Sequence, residues 1–467
     1  MADAARLLPL RCAAGRWVVL AAVLGSGMAL LDSTVVNVAV RPIGVDLGAT
    51  LSELQWVVNA YMLSLASLIL VGGSLGDRLG RRRVFVVGVV WFALASIACG
   101  FAQDASQLIT ARALQGIGAA LLTPGSLALI QATLVPADRA RAIGIWSAWT
   151  GVAAAVGPLL GGALIQAASW RWVFLINVPL AAVIVAVTLR HVPESRTRAA
   201  ASRFDLPGAV LGAVALGGVT FALIEGGWAP LVVGVGGIAA FLLRERLTRH
   251  PMLPLGLFAE RTFSTANVVT LVVYGALGAL MFLLILQLQV VSGFSPLQSG
   301  LAMVPFTVLM LLFSSRSGAL ATRIGPRLQM TVGPLVSAAG VLLLRRVSAD
   351  ASYLVDVLPG VLLFGVGMTL LVAPLTASVL AAVDDDHAGL ASGVNNAVAR
   401  AASLLAVAAL PTLVGLSGDD YRLPAVLDSG YEDAMLWCAG LLTAGALVSV
   451  VLLPRGVGLQ RDPELVE

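Results

Sequence analysis

The sequence predicts an all-α integral membrane protein of fourteen transmembrane helices, arranged as six, two inserted and six. Three observations lead there. Of the 467 residues, 59% are apolar and only 12% charged, whereas a soluble domain carries about a quarter of its residues as charges. Apolar stretches long enough to span a bilayer, about 20 residues each, recur from end to end. A glycine- and arginine-containing element occurs twice, as Gly73-Ser-Leu-Gly-Asp77-Arg78-Leu-Gly80-Arg-Arg82 and, 245 residues later, as Gly318-Ala-Leu-Ala-Thr322-Arg323-Ile-Gly325-Pro-Arg327.

The spans read in order as follows. The first, 17–39, opens behind the basic tail ending at Arg16 and stops before Arg41 and Pro42; it is too long for a signal peptide and lacks a convincing cleavage site. The second, 54–76, runs from Glu53 to the Asp77-Arg78 pair, and the third, 84–101, follows Arg81, Arg82 and Arg83. Spans at 107–130, 142–166 and 170–189 complete a first set, the last closing on Arg190 and His191. The glycine-rich pair 207–225 and 229–245 is joined by a turn around Gly226, Gly227 and Pro230. A second set of six occupies 263–288, 297–318, 328–346, 354–378, 389–414 and 434–453. Both copies of the repeated element lie between a second and a third span of their set. Residues 1–203 therefore form one six-helix bundle, 204–249 an inserted hairpin and 250–467 a second bundle. Duplicated halves around a midplane cavity are a common plan for alternating access.

Every basic side chain other than histidine is an arginine, for the chain has no lysine. With loops alternating sides, 22 arginines fall on the side that holds both termini and 5 on the other (Arg41, Arg171, Arg345, Arg346 and Arg422), while Arg112 and Arg400 lie inside spans. Positive-inside bias then puts both termini in the cytoplasm. The missing lysine excludes a P-loop, a pyridoxal Schiff base and a retinal linkage, and with them an ATPase carried on this chain. Cys12, Cys99 and Cys438 are too few and too scattered for a disulfide framework or a metal site. His191, His250 and His387 fall in polar connections, and Asp384, Asp385, Asp386 and His387 read as a solvated loop rather than metal ligands. No metal or cofactor is expected. The pI near 9.3 reflects juxtamembrane arginine rather than a nucleic-acid partner. An intramembrane enzyme would need a paired catalytic constellation, and neither a His-Glu-x-x-His nor a pair of membrane aspartates is present.

Asp32 stands out because a carboxylate within a span is costly and rarely found without a partner or a function. It lies 15 residues into the first span, about 22 Å from the inner end at ~1.5 Å per residue. Arg112 enters from the opposite side, five residues into the fourth span, and reaches a similar depth. Burial penalises the charged carboxylate and a guanidinium favours it, so a change in their separation can load or release a proton. A permanent ion pair that only holds the two spans together is the plainer alternative.

Several motifs together resemble the major facilitator superfamily and, within it, the fourteen-span drug:proton antiporters. They are Leu31-Asp32-Ser-Thr-Val-Val-Asn37, Gln55-Trp56-Val-Val-Asn59-Ala-Tyr61, Gly73 to Arg83, Arg112-Ala-Leu-Gln115-Gly116, Gly151 to Gly162, and Trp170-Arg-Trp172-Val-Phe-Leu-Ile-Asn177-Val-Pro179. The resemblance covers nearly the whole chain. It implies the major facilitator fold and proton-coupled export of hydrophobic small molecules, with Asp32 and Arg112 as the coupling pair. It makes Gly73, Gly76, Asp77, Arg78, Gly80, Arg81 and Arg82 a cytoplasmic latch, which is weakened in the second copy where Thr322 replaces the acid. It marks Gly151, Gly157, Pro158, Gly161 and Gly162 as an antiporter motif, and the spacing of Gly144, Ser147, Gly151, Ala154, Pro158 and Gly162 puts those six small residues on one helical face. Candidates for a substrate cavity are Trp56, Asn59, Gln115, Asn267, Tyr274, Gln287, Gln289, Asn396 and Arg400. Where that family tends to carry further glycines after Arg400, this chain has Ala401, Ala402, Ser403 and Leu404, which argues against close helix contact there. The expected partners are protons, a lipophilic substrate and the bilayer of a bacterial inner membrane, with the protein monomeric. An importer of the same fold and a non-transporting sensor are the alternatives.

Overall fold

A computed structural model of the chain describes residues 7–196, 205–248, 251–384 and 388–454. Arg6, Arg198, Arg203, Arg249, His250, Asp385, Asp386, His387, Arg455 and Arg461, which the topology and loop readings use, lie outside them. Among the described residues the structure is helical apart from one isolated bridge, in which Leu8 pairs with Leu134 beside the start of the fifth span. Fourteen helical segments among the described residues are long and apolar enough to cross a membrane.

In the first set these are α1 (Ala13–Leu47), α2 (Leu51–Leu79), α3 (Arg81–Gly100), α4 (Ala105–Thr133) and α5 (Pro136–Ala167), followed by a span in two pieces, α6 (Trp172–Leu175) and α7 (Asn177–His191). The break at Ile176 follows from Pro179, which has no N–H to offer the carbonyl four residues earlier. Local sequence explains the starts. Thr50 and Glu53 form a reciprocal capping box on α2, and Asp104 caps α4. The Ser106 hydroxyl and the Gln107 N–H hold the Asp104 carboxyl below its usual range. The inserted hairpin is α8 (Leu206–Glu225) and α9 (Trp228–Leu247). The second set is α10 (Arg261–Val290), a broken span of α11 (Pro296–Ala302) and α12 (Val304–Ile324), then α13 (Pro326–Leu344), α14 (Leu358–Ala381), α15 (Ala388–Leu413) and α16 (Pro424–Leu452).

The chain divides into two compact units, Met1–Met252 with Ser295–Leu301, and Leu253–Phe294 with Ala302–Glu467. The hairpin belongs with the first unit, and the short stretch 295–301 departs from the sequence-based division by packing there too. Helix pairing repeats within each unit. In the first, α1 packs on α4, α5 and α7, α2 and α3 on α4, and α3 on α7. In the second, α10 packs on α14, α15 and α16, α12 and α13 on α14, and α13 on α16. The repeated sequence element marks equivalent turns. Gly80 and Gly325 adopt φ of 111° and 79°, which side-chain-bearing residues rarely do.

Glycines let the hairpin close on itself. A methyl group on Gly218 would come within 2.7 Å of the Gly234 nitrogen. Arg244 pairs with the buried Asp205 at 3.1 Å at one end. At the other end, the Trp56 indole donates to Glu225 Oε1 at 2.9 Å and packs near Phe221. Trp56 therefore fastens the hairpin to α2. Two aromatic rings and a carboxylate near a helix end suit the interfacial zone, where indoles are favoured.

Candidate functional site

Asp32 is fully buried on α1, and three side chains converge on it. Arg112 Nη1 donates to Oδ2 at 2.5 Å, Gln115 Nε2 to Oδ1 at 2.7 Å, and Asn177 Nδ2 to Oδ1 at 2.9 Å. The charge-assisted bonds satisfy the carboxylate from α4 and from the start of α7. Arg112 is itself 1% exposed and held from all sides. Its Nε donates to the Val57 carbonyl at 3.1 Å, its Nη1 also to Gln115 Oε1 at 2.6 Å, and its guanidinium lies 4.3 Å from the Tyr61 ring centre and 5.6 Å from that of Phe174. Ser96 Oγ accepts from Gln115 and Asn177, and the Cys99 thiol donates to Gln115 Oε1 at 3.7 Å. The Tyr61 hydroxyl donates to the Ala29 carbonyl.

Isolating either charge in this environment would cost several kcal/mol, and breaking a buried pair by removing one partner typically costs about 3–5 kcal/mol. Chemically the site is a buried carboxylate with a built-in counter-charge. Gln115 belongs to this network rather than to a cavity wall. Ser96 and Cys99 carry no signal as members, since serine and cysteine within an apolar helix have no period, and Tyr61 and Asn177 are legible only as parts of the Gln55 to Tyr61 and Trp170 to Pro179 motifs.

The fifth span approaches α1 by a different face from the one its small-residue spacing predicts. A methyl group on Gly157 would collide with Thr34, and one on Gly161 would come within 2.7 Å of Val35, both in the turn after Asp32. Pro158 and Gly162 instead meet Gly300, Pro296 and Leu297, whereas Gly144 and Gly151 have no neighbour within 4 Å of such a methyl. Glycine-mediated close approach thus lies in the last third of α5, where it grips the segment of α1 that carries the carboxylate, while nearer its start Trp146 donates to Ser26.

The α2–α3 turn is stitched to the segment after α7. Asp77 at the end of α2 pairs with Arg81 at the start of α3 at 2.7 Å, across the turn at Gly80. Glu194 accepts from the Arg82 N–H and the Ser195 N–H, both at 3.1 Å, and its other oxygen lies 3.8 Å from Arg82 Nε and 3.7 Å from Arg83 Nε. Arg82 Nη1 reaches the Val192 carbonyl, and the Arg81 N–H the Ser195 carbonyl. Gly73 meets Pro124, Gly76 has open space beside it and Arg78 is exposed. Glu194, in a loop without regular structure, has no signal in the sequence. In the second copy Thr322 bonds to its own helix at Ala319, and Arg327 bonds to the Val450 carbonyl. Glu194→Ala is expected to cost only about 1 kcal/mol of stability, because the pairs are partly solvated. It should slow substrate exchange several-fold with little change in apparent affinity, measured by exchange kinetics across a range of substrate concentrations.

The remaining cavity candidates scatter. Asn59 is buried with neither side-chain atom hydrogen-bonded. Gln287, at the end of α10, donates to Asp428 and to the Val347 carbonyl, which makes it a tie between helix ends. Gln289 lies buried beside that end. Asn267 donates to its own helix at Phe263 and accepts from Asn395, which also donates to Thr270. Asn396 is exposed and bonds back to Ser392. Ser403 donates to the Tyr274 carbonyl at 2.9 Å, and a methyl group on Gly278 would come within 2.7 Å of the Ser403 Cβ. Helices α10 and α15 are therefore closely packed after all, because the glycines sit on α10 rather than after Arg400. Arg400 lies half-buried twelve residues along α15, about 18 Å from its start.

A family model described as Major Facilitator Superfamily matches residues 22–407. The puromycin resistance protein of Streptomyces alboniger is 36% identical over 461 residues, spanning 94% of this chain and 91% of that protein. The multidrug resistance protein Stp of Mycobacterium tuberculosis is 37% identical over 401 residues, spanning 84% of this chain and 74% of its own. Among solved structures, a bacterial homologue of the human lysosomal transporter Spinster, crystallised in an inward-facing, unoccupied conformation, superposes with a TM-score of 0.67 at 16% identity, covering 94% of this chain and 97% of that one.

Proposed function

Because the chain belongs to the major facilitator superfamily, we propose that it exports hydrophobic small molecules, antibiotics among them, across a bacterial inner membrane in exchange for protons. The observation that carries the reading is Asp32, a carboxylate at zero exposure whose counter-charge, Arg112, sits on another helix. Neutralising Asp32 removes the attraction between α1 and α4, and restoring the charge re-forms it. Proton binding and helix packing are thereby linked, as antiport requires. The grip of Gly157 and Gly161 on Thr34 and Val35 supplies a route by which a change at Asp32 reaches α5.

The resistance relatives support outward transport, and the arginine asymmetry supports cytoplasmic termini. A monomer suffices, since the ion pair and its ligands all come from one unit. Driving force is adequate: about 150 mV is worth roughly 3.5 kcal/mol per charge, enough for two to three decades of gradient. The test is accumulation of labelled puromycin or ethidium by inside-out liposomes carrying the purified protein under an imposed pH gradient. Accumulation should exceed the gradient-free control about a hundredfold or more, within the range set by that driving force, and should collapse with a protonophore. Equal accumulation after collapse of the gradient would overturn the reading.

A further inference from the structure

Resting on the reading of Asp32 as the proton carrier, we propose that Asn177 is a reversible amide switch, which donates to Asp32 when it is ionised and accepts from it when it is protonated. As the network stands, every group facing the carboxylate is a donor. Arg112 covers Oδ2, while the two amide nitrogens of Gln115 and Asn177 cover Oδ1. A protonated Asp32 must donate a hydrogen bond of its own, and in this arrangement it meets only other donors.

An acceptor has to come from one of the two amides, and they are not equivalent. The Gln115 carbonyl is committed, taking Arg112 Nη1 at 2.6 Å and the Cys99 thiol at 3.7 Å. The Asn177 carbonyl is buried with no hydrogen-bond partner among the described residues. A half-turn of that amide about its Cβ–Cγ bond presents Oδ1 to Asp32. The hydroxyl of Ser96, which accepts from Asn177 Nδ2 at 3.3 Å in the ionised arrangement, can then donate to the same oxygen. Terminal amide torsions are broad and two-fold, so the turn carries little intrinsic strain. Covalently, one O–H bond forms on Asp32 at loading and the same bond breaks at release; Asn177 gains and loses none. The ionisable groups around Asp32 are Arg112 on α4, Cys99 on α3 and Tyr61 on α2. The guanidinium and the hydroxyl are bound to other acceptors as well, and the thiol points at Gln115, which leaves Asn177 as the group able to reverse. The location adds mechanical sense, for Asn177 is the first residue of α7, directly after the break at Ile176.

The test is infrared difference spectroscopy between alkaline and acidic pH on the full chain in lipid vesicles, with and without carbonyl-labelled asparagine. Wild type should show, on acidification, a carboxylic-acid band that disappears in Asp32→Asn. Together with it an asparagine carbonyl band should move to lower frequency, as an unbonded carbonyl gains a donor. That second band should be missing in Asn177→Leu and, as a check against misfolding of that variant, in Asn177→Thr. Proton-driven accumulation should fall about tenfold in both, less than the ~10²–10⁴-fold typical of losing the proton-transferring group itself, because Asn177 positions the proton without carrying it. An Asp32 band with an unmoved asparagine carbonyl would sink the switch and leave the proton carrier standing. Absence of the Asp32 band would remove both.

Discussion

Asp32→Asn is expected to eliminate uphill transport while preserving a measurable part of substrate exchange. Asparagine keeps the size of the side chain and one carbonyl for Gln115 and Asn177 to address, so the helices have little steric reason to shift. What disappears is the ability to alternate between a charge and its absence. Without that alternation a pH gradient cannot bias the cycle, since a ligand shifts an equilibrium only by its differential affinity for the two states. Proton-driven accumulation should drop by about a hundredfold or more, toward the level of empty liposomes, given the two to three decades that one proton supports. Exchange between equal substrate pools needs no proton and serves as the control for a folded protein. Accumulation at the normal rate would show that another group carries the proton.

Arg112→Met should produce a large loss of stability in the first unit. The variant keeps an apolar stem to fill the space beside Tyr61 and Phe174 but leaves Asp32 buried with amide donors alone. The expected cost is about 3–5 kcal/mol, the usual penalty for stranding one member of a buried pair. The Val57 carbonyl and Gln115 Oε1 also lose their donor, so part of the cost is not electrostatic. Combining Arg112→Met with Asp32→Asn removes both charges, and the double variant should recover about half the loss. Thermal unfolding in detergent, read as a double-mutant cycle, should give a coupling of about 2 kcal/mol or more, within the range for residues in contact. Strictly additive effects would mean that the pair contributes nothing as a pair.

The linear pattern carried much of this molecule. Hydropathy located the spans because lipid demands about 20 apolar residues wherever the chain crosses. The doubled Gly80 and Gly325 turns announced the repeat, which the matching helix pairs in the two units bear out. Counting residues also placed Asp32 and Arg112 at one depth, because rise along a helix is the one coordinate that sequence supplies directly. Glu194 escaped for the opposite reason: it acts from an irregular segment, where no rise or period applies.

Rotation about each helix axis was the coordinate that only the tertiary structure decided. In a soluble protein the apolar stripe says which face turns inward; in a bilayer both faces are apolar, since lipid tails are as hydrophobic as a leucine core. Trp56 could therefore read as a cavity wall with no sign that its indole also ties a hairpin to α2. The α5 glycines could share a computed stripe while the gripping ones proved to be Gly157 and Gly161. Asn177 could stand in a recognised motif with no indication that its amide lies 2.9 Å from a carboxylate 145 residues away. Sequence determined which residues cross the membrane and how deep each lies. Which of them face one another was set by packing, because steric fit between helices, rather than polarity, decides rotation in an apolar solvent.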